Sequence, residues 1–179
     1  MVGTTVDEVE RRIHPSAHRQ VMGADLAQLR TIADYQFGAG AGEALFDGDV
    51  VVQRTSTGRP QQIVVDGERV VSYGTDGRFT LGLAGGRRLQ EALAPPAYRV
   101  VVGDDSEPFV REGRNVFARF VRRVDPAVRP GDEVLVEHLE GALLAVGRAE
   151  LSADGMADFE TGMAVKVREG VPAPESASQ

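Results

Sequence analysis

The chain has 179 residues, enough for one sizeable core or two small ones, since compact domains commonly run from roughly 50 to 200 residues. Hydrophobic residues make up 42% and charged residues 26%, a balance too apolar for wholesale disorder. The formal net charge is −7, and the absence of cysteine excludes disulfides, thiolate nucleophiles and cysteine zinc sites.

In chain order, residues 1–23 have no clean periodicity and contain the breaker Pro15, which predicts a loosely attached arm or an irregular first helix. The acidic residues 1–10 lack the basic start and apolar centre of a secretory signal, so a cytoplasmic protein is expected. From Asp25, the residues Leu26, Leu29, Ile32, Ala33, Gln36 and Phe37 recur at three and four, the spacing of an amphipathic helix that ends near Gly38. The glycines Gly38, Gly40 and Gly42 then predict a turn. Their spacing differs from the dinucleotide fingerprint, and they follow a helix where that motif follows a strand.

Short strands are predicted over 49–53, 61–65, 69–73 and 78–81, separated by Thr57-Gly58, Asp66-Gly67 and Asp76-Gly77. Asp-Gly favours a tight hairpin because both central residues of a type I′ turn need positive φ. A helix over 85–93 packs on this small sheet, and Ala94-Pro95-Pro96 stops it and marks a domain boundary. Beyond it, strands are expected over 98–102, 115–123, 133–137, 142–150 and 163–168, with short helices over 107–113 and 152–160. Such a pattern predicts a compact barrel. The tail, 171–179, rich in Pro, Ser and Ala, is expected to be disordered. The longest apolar stretches are far shorter than the roughly 20 residues a membrane helix needs, so no membrane segment is expected.

Charge is unevenly placed. Residues 111–129 hold Arg111, Arg114, Arg119, Arg122, Arg123 and Arg129 against Glu112 and Asp125, a formal +4, whereas residues 130–160 sum to −7. A positive island on an acidic body is how a phosphate-binding face is recognised, and Phe117 and Phe120 within it could stack on unpaired bases. The alternative is that these arginines are surface-paired and the phenylalanines belong to the core. In the last strand Ala164, Lys166 and Arg168 alternate with Val165 and Val167, which predicts that Lys166 and Arg168 point together to one side. No catalytic or metal constellation is expected. His14 and His18 are separated by Pro15, His138 stands alone, and Asp104-Asp105 is read as a solvated loop.

Five ordered segments resemble the PUA domain of pseudouridine synthases and archaeosine tRNA-guanine transglycosylases, most closely the archaeal transglycosylase version. They are Pro108-Phe109-Val110, residues 113–121 around Asn115-Val116-Phe117, Arg129-Pro130-Gly131-Asp132 with the strand after it, residues 144–149 and residues 162–168. Asp34-Tyr35-Gln36-Phe37-Gly38, with the sheet to Leu81, is similar to the small domain preceding PUA in those transglycosylases and in archaeosine synthases.

The resemblance implies an α+β fold: an N-terminal arm over 1–24, a small pre-PUA α/β-sheet domain of the transglycosylase C2 type over 25–96, a PUA β-pseudobarrel over 97–170 and the tail. It implies binding of structured RNA, most readily tRNA, with no catalytic residue, metal or cofactor. The large catalytic barrel of the transglycosylases has no counterpart in this sequence. Carried over by motif, the first helix, the glycine at its end and neighbouring strands nominate Gly113, Arg114, Arg119, Gly147, Arg148, Lys166 and Arg168; the charge island adds Arg111, Arg122 and Arg123. A glycine permits close backbone approach to phosphate or a positive φ, and Gly113 equally suits a helix C-cap. The alternative role is an RNA-delivery subunit of a separate RNA-modifying enzyme or a ribosome-associated factor. Only Lys166 among the 20 basic residues is lysine, a balance that resembles proteins of salt-loving archaea, although a GC-rich genome also favours arginine.

Overall fold

The structure is a computed structural model that describes residues 18–20 and 23–175. Most of the expected N-terminal arm, including His14, and residues 176–179 of the expected tail lie outside the described residues. Part of the arm is a strand instead: β1 (His18–Gln20) pairs antiparallel with β2 (Val50–Arg54).

Helix α1 (Gly23–Phe37) places Leu29, Ala33 and Phe37, each four apart, in the core, because residues at that spacing share a helix face. Gln36, predicted to lie with this stripe, serves a polar purpose. Its amide donates to the Phe79 carbonyl at 2.8 Å and accepts from the Phe79 N–H at 2.7 Å. The glycine-rich turn closes into one helical turn, α2 (Ala41–Leu45), held by Asp34 Oδ1, which accepts from the Gly42 N–H at 2.7 Å.

Strands β2, β3 (Pro60–Val65), β4 (Glu68–Tyr73) and β5 (Phe79–Leu81) complete an antiparallel meander in sequence order. The three predicted hairpin turns differ. Asp66 and Gly67 both have positive φ, 51° and 85°, as a type I′ pair requires, but at the other two turns only Gly58 and Gly77 do. Helix α3 (Leu83–Ala92) lays Ala84 and Leu89 into the core of this sheet, where the Phe46 and Phe79 rings meet edge to face at 5.8 Å.

The C-terminal half contains β6 (Arg99–Val102), α4 (Glu107–Arg111), β7 (Val116–Phe117), β8 (Val121–Val124), β9 (Glu133–His138), β10 (Leu143–Ala149), α5 (Ala153–Asp158) and β11 (Met163–Gly170). Its sheet runs β7-β11-β10-β9-β6-β8, antiparallel except for the parallel β6–β9 pair. The single strand predicted over 115–123 is broken by a 3₁₀ turn (Ala118–Phe120), so β7 pairs with β11 while β8 pairs with β6. This turn joins the two ends of the strand order and nearly closes the sheet into a barrel. Buried Ala118 anchors it by donating its N–H to the Gly162 carbonyl at 2.8 Å.

Strand β9 is buried on both faces. Val134 and Val136 fill the barrel, while Leu135 projects between them into the core of the N-terminal sheet. Glu133 and Glu137 share the Leu135 face. Glu133 accepts from the Leu81 N–H at 2.7 Å and is gripped by Arg168 at 2.5 and 2.8 Å. Glu137 accepts from Arg99 Nε at 2.7 Å and from Gln90 on α3 at 3.1 Å. The Tyr98 hydroxyl donates to the Gln36 carbonyl at 2.7 Å, and Arg69 pairs with Glu169. A shared apolar core and these buried polar ties therefore join the sheet to the barrel. No described helix is long and apolar enough to cross a membrane.

Candidate nucleic-acid interface

The positive island folds around α4. That helix ends in a Schellman motif: the Gly113 N–H donates to Val110 and the Arg114 N–H to Phe109, both at 3.0 Å, with Gly113 at φ 90°. Gly113 is thus a C-cap, and the cap carries Arg114 over the exposed Phe109 ring, 5.6 Å from its centroid. Five residues on, the 3₁₀ turn sets Arg119 over Phe120 at 4.6 Å and leaves Phe117 42% exposed. Together with Ser106 and Asn115 these residues line a groove of about 440 Å³. The Ser106 hydroxyl, in a residue only 6% exposed, has no hydrogen-bond partner among the described residues. Aromatic surface, two arginines held on rings and a free hydroxyl suit the face and edge of a nucleobase with its phosphate.

The remaining nominated arginines have different placements. Arg111 is spent on Glu107 at 2.9 Å and on the carbonyls of Val171 and Pro172, so it fastens the end of β11. Arg122 meets Asp105 at 3.4 Å in an exposed pair, and Arg123 is exposed on β8.

Gly147, Arg148, Lys166 and Arg168 lie away from this groove. The last three line a second concavity of about 410 Å³ between barrel and sheet, with Arg78, Gln36 and Thr80. Gly147 is buried: a Cβ there would overlap the Lys166 carbonyl, so this glycine permits the close passage of β10 and β11 at a bulge. Arg148 donates to Glu150 at 3.1 and 2.8 Å, and that hydrogen bond raises its pKa above the usual arginine value. Arg168 is tied to Glu133, whereas Lys166 is exposed with no ion pair among the described residues. The alternation predicted for β11 holds at Lys166 and Arg168, which are both exposed and line this concavity, and fails at Ala164, which is buried beside the register shift between Met163 and Val165 against β7.

His138 is not alone. Its Nε2 lies 2.6 Å from Asp104 Oδ1 and 3.7 Å from Glu107, and its Nδ1 accepts from the Glu140 N–H at 3.1 Å. The neutral ring therefore carries its proton on Nε2 and gives it to Asp104. Three potential metal ligands converge there, but the nitrogen facing the carboxylates is the protonated one, so the donor set suits a hydrogen-bonded clasp better than a cation. Asp104, predicted to be merely solvated, thus holds the end of β9. Sequence reasoning also missed Ser106, Tyr35 and Arg78. Of these, Tyr35 alone left a trace, an aromatic off the buried stripe of α1, where it is 95% exposed.

A sheet domain with α1 packed on it, followed by a pseudobarrel with an aromatic and arginine groove, defines a two-domain protein of the C2 and PUA type. Residues 27–96 match the patch-forming domain C2 of tRNA-guanine transglycosylase and residues 98–171 match the PUA domain, so the chain carries one domain of each family. It is 47% identical over 144 residues to the tRNA-guanine(15) transglycosylase of Pyrococcus furiosus, covering 80% of this chain and 24% of that protein. To the enzyme of the same name from Methanothermobacter thermautotrophicus it is 44% identical over 148 residues, covering 82% and 23%. The chain thus spans about a quarter of the length of the curated relatives it matches. Among solved structures, a hypothetical protein from Pyrococcus horikoshii superimposes with a TM-score of 0.68 at 21% identity, over 86% of this chain and 93% of that one. A conserved PUA domain protein from Thermoplasma acidophilum gives 0.63 at 19%, over 88% and 95%. These two likenesses establish the fold.

Proposed function

We propose that the protein is a noncatalytic RNA-binding protein that takes tRNA, or another structured RNA, on the PUA groove. The observation that carries this reading is the groove itself, where Arg114 and Arg119 are preset over Phe109 and Phe120 beside exposed Phe117 and the unpartnered Ser106 hydroxyl. Preset cations above rings offer stacking and phosphate contact together. The relatives named for tRNA modification favour tRNA as the ligand. A noncatalytic role is supported by the most reactive-looking cluster, around His138, having both ring nitrogens engaged in holding loops.

The test is retention of tRNA at one fixed physiological salt. Arg114→Glu with Arg119→Glu should abolish it while leaving thermal unfolding intact, and unchanged retention would remove the groove from the reading. A second reading, delivery of RNA to a modifying enzyme, is supported by the relatives' own name, tRNA-guanine(15) transglycosylase. Affinity purification after nuclease treatment should then still recover an RNA-modifying enzyme; recovery of RNA alone before nuclease, and of nothing after it, counts against delivery.

A further inference from the structure

The second concavity has a composition of its own. Its barrel wall offers Lys166, the only lysine of the chain, exposed and without an ion pair among the described residues, together with exposed Arg148. Its sheet wall offers Arg78. Asp132 meets one terminal nitrogen of Arg78 at 3.4 Å, and Glu150 takes two nitrogens of Arg148, so each guanidinium keeps a further donor turned to neither acid. The floor cannot collapse onto these cations, because buried Glu133 is already saturated by Arg168 and the Leu81 N–H.

Gln36 and Arg78 belong at once to this cleft and to an adjoining shallow hollow lined by Thr31, Ile32 and Tyr35. In the Asp34-Tyr35-Gln36-Phe37 run the other three residues are structurally committed, since Asp34 anchors α2, Gln36 pairs with Phe79 and Phe37 fills the core. Tyr35 has no such role, and its ring is 95% exposed. Strand β11 and the segment paired with it connect the walls of cleft and groove. The Val167 N–H donates to Asn115 Oδ1 at 3.0 Å, joining a residue that lines the cleft to one that lines the groove, and Phe117 of the groove lies opposite Met163 on the same strand. From Met163 to Arg168 the strand advances about 17 Å, a path short enough for one nucleic-acid strand to follow.

We propose that this cleft is a second contact for the same RNA, with Lys166, Arg78 and Arg148 on phosphates and Tyr35 stacking on an unpaired base, so that the C2 domain reads RNA and is not a spacer. This rests on the RNA-binding reading of the groove. The experiment measures binding of unfractionated tRNA to the full chain across a salt series for wild type, Lys166→Gln with Arg78→Gln, Tyr35→Ala, and the groove variant Arg114→Glu with Arg119→Glu. Loss of two phosphate contacts should lower the slope of log affinity against log salt by about 1.5. Tyr35→Ala should weaken binding about fivefold or more and leave that slope unchanged, since stacking releases no counterions. Thermal unfolding of each variant establishes that it is folded. If Lys166→Gln with Arg78→Gln and Tyr35→Ala both bind as wild type does while the groove variant fails, the cleft is overturned and the groove stands. If wild type itself retains no tRNA, the RNA reading falls and the cleft falls with it.

Discussion

Lys166 and Arg168 stand two apart on one strand and meet opposite fates. Arg168 completes a buried carboxylate, and Lys166 keeps its three donors for a partner. Sequence alternation placed them on one side, and both do line the same concavity, but alternation carries no sign that a carboxylate from β9 is waiting for one of them and not the other. Polar partnerships between residues far apart in the chain were equally illegible, such as Glu133 with Leu81 or His138 with Asp104, because neither composition nor periodicity encodes who meets whom. Tyr98 gives this scale its own prediction. Burial above all, then the negative charges of Asp132 and Asp125, raise its hydroxyl pKa above the ordinary 10.0, and burial does the same at Tyr73. A folded-state value above the unfolded one contributes stability that is complete below about pH 10 and is lost as pH rises through the raised values. Denaturation midpoints should therefore fall in the alkaline range, and Tyr98→Phe should flatten that fall; an identical fall in the variant would exclude Tyr98 as its source.

Regular elements were the most legible level. The period of α1, the Asp66-Gly67 hairpin and most strands of both sheets stand close to where side-chain pattern and turn chemistry place them. The failures have a common cause. The 115–123 stretch reads as one strand because its residues suit β structure throughout, yet closing the barrel demands a change of partner midway, and the 3₁₀ turn supplies it. The candidate groove depends on that break. Without it Arg119 and Phe120 would point to opposite faces of an ordinary strand, and the turn instead presents Arg119 over Phe120 beside the α4 cap. The edge strand β5 illustrates the same dependence on distant residues. Its Phe79 backbone is satisfied by the Gln36 side chain and its Leu81 N–H by Glu133, which leaves these groups unavailable for pairing with another sheet.

At the scale of the whole molecule, Leu135 decides how the halves behave. It belongs to a barrel strand but is fully buried among residues of the N-terminal sheet, with Leu143 and Val146 beside it. Leu135→Ala should cost about 2–5 kcal/mol, the usual range for truncating a buried leucine. The loss should appear as one cooperative transition moved to lower denaturant, with far-ultraviolet dichroism and tyrosine signals still coincident. Two separated transitions would mean that sheet and barrel are energetically independent.

The outward face of β9 also bears on how such a chain can be rearranged over generations. A gene fragment encoding the barrel alone would carry two leucines, a valine and two carboxylates shaped for a neighbour it had left behind. Exposed, that apolar surface invites aggregation. The heritable unit favoured by this packing is the pair, so lineages that fuse, split or transplant the module are expected to cut before β1 or after β11, and seldom at the proline pair between the halves.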